Sequence, residues 1–294
     1  MPEPLERKFS IQGRTIAARC WHDPALPPLL ALHGWLDNAA TFDRLAPLLP
    51  DYHIVAMDFA GHGLSDHRTP GIRYHFVDHV DDVLAVADLA GWSRFTLMGH
   101  SMGAGVSTLF AAALPERLEK LVLIEGFGPF TGTPEAAPAI LRGALLQKQT
   151  FDKPPRVIAD LALAVRARMQ GLVPVSEAAA RILCERGVET VEGGYIWRTD
   201  RRLRLDSPIR LTEAQVCQYL AAIETPTLLV MAEQGLPFNR PDYEARLQAH
   251  RYLTSVSLPG GHHLHLDGDV DAVAEAVTSF LGDTPANSES DALT

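Results

Sequence analysis

The stretch Phe95-Thr96-Leu97-Met98-Gly99-His100-Ser101-Met102-Gly103-Ala104-Gly105 decides how the rest of the chain is read. Phe95 to Met98 reads as a short buried strand, and Met102 to Leu114 as a helix of small residues. Between them lies Gly99-His100-Ser101-Met102-Gly103, a Gly-x-Ser-x-Gly pattern at a strand-to-helix junction. So sharp a turn leaves no room for a Cβ two residues before or after the serine, hence Gly99 and Gly103. Ala104 and Gly105 let the helix pack close to a sheet. The Ser101 hydroxyl then projects from the turn. The helix N-terminus directs its partial positive charge to the same place, where an oxyanion is stabilised.

Working outward, the first half of the chain alternates strands and helices. Glu6 to Ile11 and Arg14 to Cys20 read as strands paired across a turn at Gln12-Gly13. Leu29 to Leu32 is a strand that ends at His33-Gly34. Asn38 to Leu49 carries Phe42, Leu45, Leu48 and Leu49 at helical spacing. His53 to Asp58 is a strand, His75 to Ala90 a helix closed by Gly91, and Leu121 to Ile124 a strand. Apolar strands without polar alternation, separated by helices, predict a mostly parallel sheet covered on both faces.

The rhythm breaks after Glu125. About 100 residues precede the next strand at Pro226 to Met231, whereas an ordinary crossover needs a dozen or so. Helical pieces at Ala136 to Gln149, Pro155 to Gln170 and Ser176 to Arg186 predict a helical cap over residues 126–224. The core then comprises 1–125 and 225–282: helix Asp242 to His250, strand Thr254 to Leu258 and helix Val270 to Leu281 complete it. A polar tail, 283–294, is expected to be disordered.

Composition narrows the function. Of 294 residues, 47% are hydrophobic and 21% charged, and the net charge is −10. Neither nucleic acid nor an anionic membrane surface is an expected partner, because both attract basic patches. The three cysteines, Cys20, Cys184 and Cys217, form no Cys-x-x-Cys pair, which excludes a disulfide framework and a zinc ribbon. The N-terminus lacks an apolar signal core, and no apolar run reaches the length of a membrane span. A cytoplasmic location is expected. Oligomeric state is left open.

Two further loops bear on chemistry. In His33-Gly34-Trp35 the Trp35 N–H is placed to join the Met102 N–H in an oxyanion hole, with His33 propping the loop. In Gly260-Gly261-His262-His263-Leu264-His265, which follows the last strand, His262 is the candidate base that activates the serine. His263 is its alternative and His265 reads as structural. No third ligand motif accompanies these histidines, so no metal site is expected.

These motifs together resemble the α/β-hydrolase fold from about Phe9 to Leu281. The stretches Leu32 to Asn38 and Met57 to Ser65 resemble more narrowly its serine hydrolase-like proteins. The order serine, acid, histidine is that family's order. The family usually places an Asp after the strand that follows the cap, but here that loop reads Ala232-Glu233-Gln234-Gly235. Some members carry the acid instead after the strand before the cap, which is Glu125 in this chain. Glu125 is therefore the candidate acid and Glu233 the alternative. Asp58 reads as a loop brace. The resemblance implies acyl hydrolysis of a small-molecule ester or thioester without metal or organic cofactor. Ser101 is the nucleophile, His262 the base and Glu125 its orienting acid. Rival readings are C–C bond hydrolysis or perhydrolysis on the same triad, and a non-catalytic binding protein on a hydrolase scaffold.

Overall fold

The computed structural model describes residues 3–147, 155–236 and 241–283. Strands β1 (Leu5–Ile11) and β2 (Arg14–Trp21) form an antiparallel hairpin. Gln12 and Gly13 both have positive φ, 49° and 78°, as a two-residue hairpin turn requires. β3 (Pro28–Leu32), β4 (His53–Met57), β5 (Phe95–His100) and β6 (Leu118–Ile124) follow, mutually parallel where they pair. β7 (Val188–Val191) and β8 (Gly194–Trp197) make a separate small hairpin. β9 (Thr227–Gln234) and β10 (Leu253–Gly261) extend the main sheet in parallel. Its order is β1-β2-β4-β3-β5-β6-β9-β10.

Successive residues of the central strands enter different cores. Leu30, Leu32, Leu97 and Leu123 face helices α1 (Asp78–Leu89) and α2 (Met102–Ala113). Leu29, Ala31, Met98 and Ile124 face the opposite layer, which contains Phe42 and Leu45. Burial on both faces explains why these strands read as unbroken apolar runs.

Between β6 and β9 lie α3 (Ala137–Leu146), α4 (Leu161–Met169), α5 (Glu177–Gly187), the β7–β8 hairpin and α6 (Glu213–Ala222). α4 and α5 share a small core of their own, including Ala164, Val165, Ala180 and Leu183. Val216 and Leu220 of α6 instead join the main core beside Phe110 of α2. The stretch expected as a cap thus ends in a helix that the sheet domain uses to cover itself. The last helices are α7 (Pro241–Ala249) and α8 (Val270–Gly282), and Val273 and Val277 of α8 cover the second face.

One expected helix is absent. Residues 38–49 form two short 3-10 turns, Ala39–Phe42 and Ala46–Leu48. Pro47 lacks an N–H, and its ring would clash with the carbonyl four residues back in a continuous α-helix. The apolar spacing still serves its purpose, since Phe42 and Leu45 are fully buried. Beyond Asp283, the tail expected to be disordered lies outside the described residues.

Candidate active site

Ser101 sits between β5 and α2 with φ 53° and ψ −113°. A non-glycine residue is seldom held there, at a cost of about 1–3 kcal/mol. The two flanking glycines make the turn possible. A Cβ on Gly99 would overlap the Gly103 backbone, and one on Gly103 would overlap the Leu32 carbonyl. The helix is therefore pressed against the sheet, and Ser101 is left at its N-terminus.

His262 follows β10 and reaches the same point. Its Nε2 lies 2.9 Å from Ser101 Oγ. Its Nδ1 lies 3.0 Å from Glu125 Oε2. Glu125, at the end of β6, is fully buried and has φ 50°. Two backbone N–H groups also donate to its carboxylate: Ala232 to Oε1 at 2.6 Å and Leu236 to Oε2 at 2.8 Å. An ionised carboxylate is costly in an interior unless hydrogen-bonded in this way. With Nδ1–H donating to Glu125, the His262 Nε2 lone pair is free to accept the Ser101 hydroxyl proton.

The alternatives are placed elsewhere. His263 Nε2 lies 2.9 Å from Asp37 Oδ2, not beside Ser101. Glu233 is exposed and makes its side-chain hydrogen bond with Gln234. His265 Nε2 meets the Thr41 hydroxyl at 2.9 Å in the interior. His33 Nε2 accepts the Phe59 N–H and its Nδ1–H donates to the Gly34 carbonyl, so it braces the loop. Burial pushes the His33 imidazole down to about 4, which keeps it neutral in that role. Asp58 braces two loops, accepting the Ala39 and Leu64 N–H groups.

Asp37 and Arg168 are functional candidates that the sequence reading passed over. Arg168 of α4 donates to Asp37 Oδ1 at 2.9 Å, and its Nη2 lies 3.2 Å from His263 Nε2. Burial alone raises the Asp37 pKa, but His263 and Arg168 outweigh it and hold the carboxyl well below the usual range. Asp37 stands inside the loop stretch Leu32 to Asn38, but its partners lie 131 and 226 residues away, beyond any local signal. Asp37, His100 and His263 also have the spacing of metal ligands. Arg168 already sets a positive charge against two of those three groups, in the place where a cation would have to bind.

The alpha/beta hydrolase fold model matches residues 27–269. The chain belongs to the α/β hydrolase fold family. Among its relatives, a serine hydrolase-like protein of Danio rerio is 34% identical over 287 residues, covering 94% of this chain and 88% of that one. Serine hydrolase-like protein 2 of Homo sapiens is 32% identical, covering 94% and 93%. A crystal structure of a hypothetical protein from Pseudomonas aeruginosa superposes with a TM-score of 0.90 at 47% identity, covering 96% of this chain and all of that one.

In this α/β hydrolase, Ser101 opens into a cavity of about 2110 Å³. Trp35 and Met102 line it, and neither backbone N–H donates to another group among the described residues. Trp35 is not a core aromatic: it is 41% exposed, and its Nε1–H donates to the Leu203 carbonyl of the inserted segment at 3.0 Å. No described helix is long and apolar enough to cross a membrane.

Proposed function

We propose that the protein is a serine hydrolase that cleaves carboxylic esters or thioesters through an acyl-enzyme. The carrying observation is the unbroken chain from Ser101 Oγ through His262 to Glu125, with contacts of 2.9 and 3.0 Å. Ser101 Oγ attacks the acyl carbon while its proton passes to His262 Nε2. Glu125 stabilises the resulting imidazolium and holds its Nδ1–H in place. The N–H groups of Trp35 and Met102 receive the developing oxyanion. Collapse breaks the bond to the leaving oxygen or sulfur, which takes the proton from Nε2. Water then adds to the acyl carbon by the same route, releasing the acid and restoring Ser101. The inserted segment between β6 and β9 acts as the substrate-selecting cap.

Ser101→Ala tests the reading. Turnover of 4-nitrophenyl butyrate should fall by about three orders of magnitude or more, and covalent labelling by a fluorophosphonate should vanish, while circular dichroism stays unchanged. Wild-type turnover by Ser101→Ala would refute the assignment.

A further inference from the structure

We propose that the mouth of the Ser101 cavity binds a phosphate-bearing leaving group through the guanidiniums of Arg204 and Arg210, with Arg156 as a third donor. This rests on the hydrolase reading above. All three residues line the cavity that contains Ser101. All three are exposed and have no ion-pair or hydrogen-bond partner among the described residues. Their neighbours differ. Arg168, Arg186, Arg198 and Arg202 of the same inserted segment are each paired with a carboxylate.

The turns that carry Arg204 and Arg210 are tied to the rest of the protein. Arg202 is a structural tie: it binds Asp200 and donates to the carbonyls of Arg68, Thr69 and Ile72. The Asp200 N–H donates to the Gly61 carbonyl at 2.8 Å. Leu203 is buried, and its carbonyl accepts from Trp35 in the loop that carries the proposed oxyanion donor. Arg204 is thereby displayed from a turn attached to that loop. The Arg210 stem packs over Gly132, and the Gly132 N–H donates to the Leu211 carbonyl at 2.9 Å.

Charge segregation points the same way. Residues 126–224 hold 13 Lys/Arg against 11 Asp/Glu, whereas the remainder holds 13 against 25. The positive excess of a strongly acidic protein is concentrated in the segment over the nucleophile. Exposed guanidiniums without carboxylate partners that line one cavity raise its affinity for an anion. The planar fork of each suits phosphate oxygens. The same cavity displays Phe130, Leu172 and Ile209, which are 79%, 89% and 80% exposed. An acyl chain on that apolar surface and a phosphate on the arginines describe one substrate class: an acyl ester or thioester whose leaving alcohol or thiol carries phosphate.

The test compares butyryl-coenzyme A with S-butyryl-N-acetylcysteamine, the same thioester without phosphates. Wild-type enzyme should favour the former by about tenfold in kcat/KM, and about 0.5 M salt should compress the ratio. In the double variant Arg204→Ala/Arg210→Ala, which leaves only Arg156, the ratio should drop severalfold through KM. Arg204→Lys/Arg210→Lys should retain part of it. Inorganic pyrophosphate should compete with butyryl-coenzyme A. Equal kcat/KM for the two thioesters in wild type, a preference undiminished in the double alanine variant, or hydrolysis confined to anionic phospholipid vesicles would overturn the proposal. If the fluorophosphonate labels Ser101 while no preference exists, only the phosphate site is wrong. If Ser101 is not labelled and no ester is cleaved, the hydrolase reading falls with it.

Discussion

Glu125 and Gly235 occupy one volume between them. A Cβ built on Gly235 would overlap the Glu125 carboxylate itself. The loop after β9 is where the family's usual acid is expected, and here a carboxylate from β6 fills the space that a side chain at 235 would take. The two positions are therefore alternatives. Glu125→Gln should lower kcat by about a thousandfold or more, because an amide neither enforces the His262 tautomer nor stabilises imidazolium. Gly235→Asp alone should be damaging, since two carboxyl groups then compete for one site. Glu125→Ala/Gly235→Asp should recover a substantial part of the loss, which steady-state kinetics on 4-nitrophenyl butyrate would measure. If the double variant is no better than Glu125→Ala, the two positions are not interchangeable. The glycine at 235 and the glutamate at a strand end were both readable from the sequence. Their mutual exclusion was not, because it depends on how closely β6 and β9 lie.

Elements of the sheet were legible because parallel strands covered on both faces leave unbroken apolar runs. β3 and the Leu121 to Ile124 part of β6 each show one. Apolar spacing at 38–49 misled for a local reason, as Pro47 interrupts the α-helix while leaving the buried residues in place. The β7–β8 hairpin went unread although Val188, Thr190, Tyr195, Ile196 and Trp197 flank Gly193-Gly194, a strand-turn-strand composition. It lay within a stretch whose neighbours all read as helical. How the inserted elements attach was beyond sequence reading. Arg186 of α5 is buried between Asp58 and Glu6, and Asn38 donates to the Leu183 carbonyl. Arg168 of α4 joins Asp37, which also binds His263, next to His262. One carboxylate thus links the loop of Trp35, the loop of His262 and His263, and a helix of the inserted segment. Arg168→Ala leaves that charge short of a partner inside the protein. It should lower kcat on 4-nitrophenyl butyrate by about tenfold or more. Asp37→Asn should have a comparable effect, and the two should be strongly non-additive in a double-mutant cycle. Additive losses, or an unchanged kcat in both, would show that the link does not position the catalytic loops.

At the scale of the whole molecule, six buried histidines have their pKa values lowered by burial. Burial pushes His33 and His250 down to about 4 and His62 to about 3, and it lowers His79, His100 and His265 well below the ordinary histidine value. Each takes up its proton more readily when unfolded. The unfolded chain consequently binds more protons between about pH 6.5 and 4, so folding stability rises with pH across that window. The contribution is fully present above pH 6.5 and is lost as pH falls toward the folded values. Asp43 and Asp82, whose carboxyls burial raises, act in the opposite sense, but they are two against six. A tenfold loss of proton affinity at one histidine is worth about 1.4 kcal/mol. Calorimetry should therefore show Tm dropping by about 10 °C or more between pH 7 and 4.5. His79 offers the control. It packs 4.6 Å from the Phe59 ring, and its Nδ1 has no partner among the described residues. His79→Phe removes one titrating group beside the Phe59 ring and should flatten the acid side of the curve while leaving Tm at pH 7 close to wild type. A Tm that is flat from pH 7 to 4.5 in the wild type would mean that these imidazoles are not held neutral by burial. An unchanged slope in His79→Phe would remove His79 from the set.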